Sequence, residues 1–359
     1  LQTAFEFLLA TITKHFRYNN PNQPFMTKKE LFQGMCNGVF SQERTIFRPI
    51  LMHFIARHTG GNYARFASDY RFLAEANLRA INDFDIDMVG LISDPYRETS
   101  AFGAEINFIS EGVPRCLDLV IKSNEDVWNL KRPDVYQCER TLDRIRGAEL
   151  LFKGTNGEVP IIGWIEGPMA EACDLAGIEQ FMMMQMMDPD IANLLLDKCV
   201  LTAKDFAKAQ IEAGCDIIGM GDAICSQIDP YTYETFVKER HREIIGFIHD
   251  CGAKVKLHIC GDIAHLLPSM NDLGIDILDI DWQVDPQHAF EVMGPDVIRC
   301  GNIDPRFVMD KNPDEIYSVC RQLCENEKGR KFILSAGCEI IVTTPAENLM
   351  AMRRASLFS

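Results

Sequence analysis

The chain is short of positive charge: 36 Lys and Arg stand against 52 Asp and Glu, a formal net charge of −16. That deficit argues against nucleic acid or an anionic membrane surface as the main partner. No apolar run reaches the ~18 to 20 residues that a membrane span needs. No internal repeat is visible, and the only low-complexity stretch is "MMMQMM" at 182 to 187, read as a soft packing surface rather than a binding element. No secretory signal precedes the cysteines. The thirteen of them are odd in number and follow no frame, which argues against a disulfide scaffold and for reduced, cytoplasmic thiols. The chain begins at Leu1 rather than Met, which leaves an upstream segment open.

What is present is a large apolar fraction, 47% of 359 residues, enough for one large α/β barrel with an insertion. Short apolar runs alternate with stretches of helical periodicity, the pattern of a parallel sheet with crossover helices. Eight such runs occur: "RPILMHF" ending near His53, "DMVGLI" before Asp94, "VPIIGWIE" ending at Glu166, "CDIIGMGD" ending at Asp222, "KVKLHIC", "DILDID" ending at Asp281, "VIRCGNID" ending at Asp304, and "FILSAGC". Eight strands are what a (β/α)8 barrel requires, and such a barrel keeps its active-site residues just past the strand ends. Helices are expected over "YARFASDYRFLAEANLRAINDF", "PDIANLLLDKCVLTAKDFAKAQIEAG", "PYTYETFVKERHREIIGFIHDCG" and "NPDEIYSVCRQLCENE", the last capped by Asn312. About 65 residues separate the second and third runs, so an insertion over the mouth is expected at about 95–158. Residues 1–47, with "YNNPNQPF" in their middle, read as an N-terminal helical extension, and 48–359 as the barrel.

Ligand-type residues concentrate in two of the eight runs. In a strand, residues i and i+2 face the same way, so His258 and Cys260 present an imidazole and a thiol on one side of the fifth strand end. Cys338 closes the eighth. A closed barrel brings both ends to one rim although 77 residues lie between Cys260 and Cys338. Two thiolates and an imidazole suit zinc, and three protein ligands leave the open position of a catalytic rather than a structural site. The bland alternative is a buried cysteine pair and a histidine bonded to backbone.

Other polar strand-end residues are candidates beside this triad. Glu166, before Gly167-Pro168, should project into the mouth as a fourth metal ligand or a catalytic contact. Asp222 and Asp281 have similar placement, with loop caps as the alternative reading. His53 is the substrate-contact candidate, against a barrel-lining histidine bonded to a neighbour. Packing roles are expected for Cys215, Cys225 and Cys300, half-buried helix positions for Cys320 and Cys324, and surface or second-layer positions for His241, His249 and His265.

Several segments resemble the uroporphyrinogen decarboxylase superfamily, and within it the corrinoid-dependent methyltransferases of the methylcobamide:coenzyme M type. They are "IEGPMAEACDLAGIEQFMMMQMMDPD", "GDAICSQIDPYTYETFVKER", "KLHICGDIAHLLPSMNDLGIDILDIDWQVD" and "FILSAGCEIIVTTPAENLMAM". The resemblance implies a (β/α)8 barrel and, in the methyltransferase branch, a catalytic zinc on His258, Cys260 and Cys338. It implies methyl transfer between a small thiol or methylated substrate and the cobalt of a corrinoid. No Asp-x-His-x-x-Gly corrinoid motif is found, so the corrinoid would arrive on a partner protein. The resemblance leaves a homodimer open. A metal-free decarboxylase acting on a tetrapyrrole is the rival expectation, but "RPILMHFIARHTGG" lacks the decarboxylase's Arg-Gln-Ala-Gly-Arg motif. A non-catalytic binding protein with a structural zinc is the other. Glu166 departs from relatives that carry a small or apolar residue before Gly-Pro, which makes a coenzyme M substrate less safe to assume.

Overall fold

The computed structural model describes residues 26–358; the expected helix over the first residues, and "YNNPNQPF", lie outside them. Ten strands occur: β1 (Ile46–Phe47), β2 (Val89–Gly90), β3 (Ile106–Asn107), β4 (Arg115–Cys116), β5 (Ile161–Glu166), β6 (Ile217–Gly221), β7 (Lys254–His258), β8 (Ile277–Ile280), β9 (Ile298–Ile303) and β10 (Phe332–Ala336). Eight of them form one parallel sheet in the order β1-β10-β9-β8-β7-β6-β5-β2. The sheet closes on itself: the Phe47 carbonyl accepts the Asp87 N–H at 2.9 Å, and the Asp87 carboxylate accepts the Phe47 N–H at 2.8 Å. The expected α/β class and (β/α)8 barrel are what the chain adopts.

Alternation along the strands divides the core in two. Ile46, Met88, Ile162, Trp164, Ile217, Ile277, Ile298, Cys300 and Ile333 point inward and form the barrel's own cluster, while the other faces pack under the helices. Trp164 fits only because β6 carries glycines beside it: an added Cβ on Gly219 would stand 2.3 Å from the indole, and one on Gly221 3.1 Å. Helix starts are sharp because Pro168, Pro189, Pro230, Pro286, Pro305 and Pro313 each open a helix, where the missing N–H costs nothing. Asn312 forms a capping box with Glu315.

Three details differ from the sequence expectation. β1 lies upstream of "RPILMHF", since Pro49 has no N–H to give a ladder. Only Ile50 beyond it makes an isolated bridge, to Glu339, and His53 opens the helix His53–His58. The helix expected over 63–84 breaks at Asp69, whose extended backbone (φ −129°) and carboxylate cap the second part, Tyr70–Phe84. The one expected from Pro230 breaks at Val237. Between β2 and β5, the helix Arg97–Ala101, the antiparallel β3–β4 hairpin and the helix Asn124–Asn129 precede the crossover helix Glu139–Gly154. In the methionine-rich helix Ile178–Met187, Met184 is buried while Met183, Met186 and Met187 are exposed. No helix among the described residues is long and apolar enough to cross a membrane.

Candidate metal centre

β7 delivers Lys256 and His258 to the barrel interior, and the chain leaves the sheet at Cys260. Across the mouth β10 ends at Ala336, and Cys338 follows Gly337. That glycine is required by crowding, since an added Cβ would stand 2.5 Å from the Asp281 carboxylate and 2.6 Å from the Trp282 nitrogen. The result is the expected convergence. His258 Nε2 lies 3.0 Å from Cys260 Sγ, Cys260 Sγ lies 3.5 Å from Cys338 Sγ, and the three donor atoms all fall within 4.8 Å of one another. Ligand atoms around a tetrahedral zinc, with bonds of about 2.0 Å to nitrogen and 2.3 Å to sulfur, stand roughly 3.5 Å apart. The donor set and its spacing fit that ion.

The protonation pattern fits as well. A proton shared between the two sulfurs holds Cys338 as a thiolate, down to about 5 against the effect of burial, and pushes Cys260 up. Burial pulls the His258 imidazole down, but the Asp279 carboxylate and then Cys338 hold its proton, and the balance lifts it to about 9. A pocket that concentrates thiolate and carboxylate around two removable protons is one in which a divalent cation can take the protons' place.

Asp279 is the residue that the sequence did not single out. Its carboxylate meets His258 Nδ1 at 2.7 Å and, on the other oxygen, the buried Lys256 ammonium. Burial would raise its carboxyl, but Lys256 and then His258 hold it below the ordinary carboxylate range. This is the carboxylate–histidine arrangement that orients a metal-binding imidazole. Asp279→Asn is therefore expected to weaken zinc binding by about 10- to 100-fold, measured by competition with a chromogenic chelator. An unchanged affinity would remove Asp279 from the site. The signal lay in "DILDID", where Asp279 shares a face with Asp281, but choosing between them needs the β7–β8 register that sets His258 against Asp279.

The remaining candidates occupy distinct places. Glu166 stands in register with Gly221 and, through it, with His258, yet its carboxylate is bound to Arg97 Nη2 at 2.6 Å and is not among the three clustered donors. Asp222 is fully buried. Its carboxylate accepts the N–H groups of Met169 (3.3 Å) and Ala170 (2.7 Å) at a helix start and meets His241 Nε2 at 2.9 Å, while its own N–H donates to the His258 carbonyl at 3.0 Å. His241 is thus a fully buried residue rather than a surface or second-layer one, its other nitrogen 2.9 Å from the Tyr233 hydroxyl. Asp222, Cys225 and His241 make a second group of three close donors, but hydrogen bonds already occupy the Asp222 carboxylate and both ring nitrogens of His241. Asp281 accepts the N–H groups of Gly261 and Trp282, each at 2.7 Å, and so fixes the loop that carries Cys260. His53 donates its backbone N–H to Glu339, next to Cys338, at 2.7 Å; its ring stacks on Tyr63 and reaches Glu111. Cys320 and Cys324, expected half-buried, are fully buried.

The model of the family described as uroporphyrinogen decarboxylase (URO-D) matches residues 27–356. A methylcobamide:CoM methyltransferase of Methanosarcina barkeri is 29% identical over 223 residues, 61% of this chain; the chain spans 64% of that relative's length. A uroporphyrinogen decarboxylase of Geobacter metallireducens is 27% identical over 289 residues, covering 78% of this chain and 82% of the relative. Among solved structures, a methyltransferase from Methanosarcina mazei superposes with a TM-score of 0.84 at 22% identity, over 92% of this chain and 98% of that one.

Proposed function

The chain belongs to the uroporphyrinogen decarboxylase family, and from that premise we propose that it is a zinc-dependent methyltransferase. It would move a methyl group between a small thiol or methylated substrate and the cobalt of a corrinoid carried by a separate protein. The observation that carries the reading is the convergence of His258, Cys260 and Cys338 at the C-terminal rim of the barrel, where this fold does its chemistry. The relative named as a methylcobamide:CoM methyltransferase is consistent with it.

His258, Cys260 and Cys338 would hold the zinc, which when bound supplies Lewis-acid activation of the substrate heteroatom. The protein's own part is orientation and charge. Asp279 fixes the ring of His258 by accepting from Nδ1, and Lys256 fixes Asp279. Asp281 holds the Cys260 loop by accepting from Gly261, and packs against Gly337 beside Cys338. Asp222 ties the end of β7 to the helix that follows Glu166. The indole of Trp164, edge-on to the imidazole at 5.8 Å between ring centroids, closes the floor beneath.

The rival, a metal-free decarboxylase, draws support from relatives of that name at similar identity. Against it stands "RPILMHFIARHTGG", where His53 lies on a helix and donates to Glu339. Metal analysis and a spectral assay separate the two. Protein purified with zinc should carry about one ion per chain and should exchange methyl groups with free cobalamin, seen as the interconversion of Co(I) and methyl-Co(III) spectra. Metal-free protein that consumes uroporphyrinogen would reverse the assignment.

A further inference from the structure

The direction of methyl transfer is set by who supplies or removes a proton, and the buried charges around Glu166 bear on that. Glu166 ends β5 with only 8% of its surface exposed. Arg97, from the helix Arg97–Ala101, binds its Oε1 at 2.6 Å, and Glu98 of the same helix accepts its backbone N–H at 2.9 Å. Glu171, from the helix Pro168–Ala176, accepts from Thr99 at 3.1 Å, and Asp174 lies one turn further on. Asp94, near the end of β2, is already paired with Arg140. Glu98 and Glu171 are 1% and 2% exposed, and each keeps one carboxyl oxygen, Oε2 and Oε1, without a hydrogen-bond partner among the described residues.

A single guanidinium therefore faces three buried glutamates. Ionised carboxylates left unpaired out of water are costly enough that such groups take up protons instead. At least one of the three must be neutral, and Glu166 is the one with an edge at the mouth. Burial accordingly pushes Glu166 and Glu171 well above the ordinary carboxylate range, and Asp174 to about 8, with Glu98 also raised.

The space beside Glu166 leads to the metal centre. Glu166, Gly221 and His258 occupy one register across β5, β6 and β7. With strands about 4.8 Å apart, the outer two Cα atoms stand roughly 10 Å from each other. The middle position has no side chain, and Trp164 lies one layer below. A small molecule lying across Gly221 would meet His258 and its neighbouring cysteines at one end and the Glu166 carboxyl at the other.

We propose that Glu166 is a catalytic residue that protonates the departing oxygen of an O-methyl donor, an ether or alcohol, so that the reaction runs from substrate to corrinoid. The inference rests on the methyltransferase reading and selects the substrate class within it. The balance is as follows. The Co(I) corrinoid gives its electron pair to the methyl carbon and becomes methyl-Co(III). The C–O bond breaks with its pair left on oxygen, and that oxygen takes the Glu166 proton. The Glu166 carboxylate so formed is neutralised by Arg97 until solvent restores the proton at its exposed edge. A thiol acceptor makes the opposite demand, since it releases a proton and needs a base. Thiolates also leave far more readily than alkoxides, so a buried neutral acid has its use with oxygen.

Free cob(I)alamin with anisole and with 4-nitroanisole, whose phenolate leaves unaided, tests this. Both should be demethylated by the zinc-loaded protein. Glu166→Gln should lose about 100-fold or more with anisole and less than about tenfold with 4-nitroanisole. Equal losses with the two ethers would overturn the proposal. Because the glutamine variant also alters a buried ion pair, the unmodified protein gives a second measurement across a wider series of substituted anisoles. A shallow dependence of rate on the acidity of the leaving phenol supports proton donation, and a steep one refutes it. Methylation of thiols from methylcobalamin without cleavage of either ether sinks this inference but leaves the methyltransferase reading standing. No exchange between cobalamin and any thiol or ether sinks both.

Discussion

Cys338→Ser is expected to reduce bound zinc from about one ion per chain to a small fraction and to lower methyl transfer by at least roughly a thousandfold, while the circular-dichroism spectrum and melting temperature stay close to those of the parent. The activity figure follows from the several kcal/mol that Lewis-acid activation supplies, at about 1.4 kcal/mol per tenfold. The expectation of an intact fold comes from where the ligands sit. Cys260 and Cys338 lie beyond the last paired residues of β7 and β10, on loops, and neither is fully buried. Between β7 and β10 the ladder runs unbroken through β8 and β9, so the metal is not needed to hold those strands together. Serine keeps the volume and loses the soft ligand. Unfolding together with metal loss would show a structural zinc instead, and full activity in a zinc-free variant would remove the metal from the mechanism altogether.

The sequence made the barrel and its metal-binding rim legible for a common physical reason. Strands buried on both faces read as continuous apolar runs, and the chain turns polar where it leaves the sheet, so strand ends and site residues are marked together at Glu166, Asp222, His258 and Asp281. Local signals failed where the determinant was distant. Asp69 and Val237 break helices without a proline or glycine at the break, and β1 is two residues long because Pro49 follows so soon. Glu98 and Glu171 read as ordinary solvated helix charges. Only the packing of two helices separated by some seventy residues shows that both are buried around Arg97. His241 misleads in the same way: on a helix of polar periodicity it looks peripheral, yet it supports the Asp222 carboxylate from inside the molecule.

Asp87→Asn is expected to be the most destabilising single change away from the metal centre, and its effect should depend on pH. Asp87 is 1% exposed and accepts the Phe47 N–H at the seam where β1 meets β2. Its carboxylate is also bound by Arg44 and, at 3.1 Å, by Lys28, with Arg353 3.7 Å away, so one anion gathers cations from before β1 and from the C-terminal helix Ala346–Ala355 onto the closing seam. Asparagine keeps the shape but leaves three buried cations short of their common partner, a change worth about 3–5 kcal/mol, or roughly 6–10 °C in melting temperature for a chain of this size. The pH dependence has a definite sign. Burial would raise the Asp87 carboxyl, but Arg44 and Lys28 outweigh it and hold the group well below its unfolded value. Its stabilisation is then fully present above that unfolded value, about pH 4, and is lost as the pH falls further. The gap in melting temperature between parent and Asp87→Asn should be constant from pH 8 to about 5 and should narrow below about pH 4, because acid removes from the parent the charge that the variant already lacks. A gap that stays constant into acid, or widens, would mean that the seam is held by the shape of the side chain rather than by its charge.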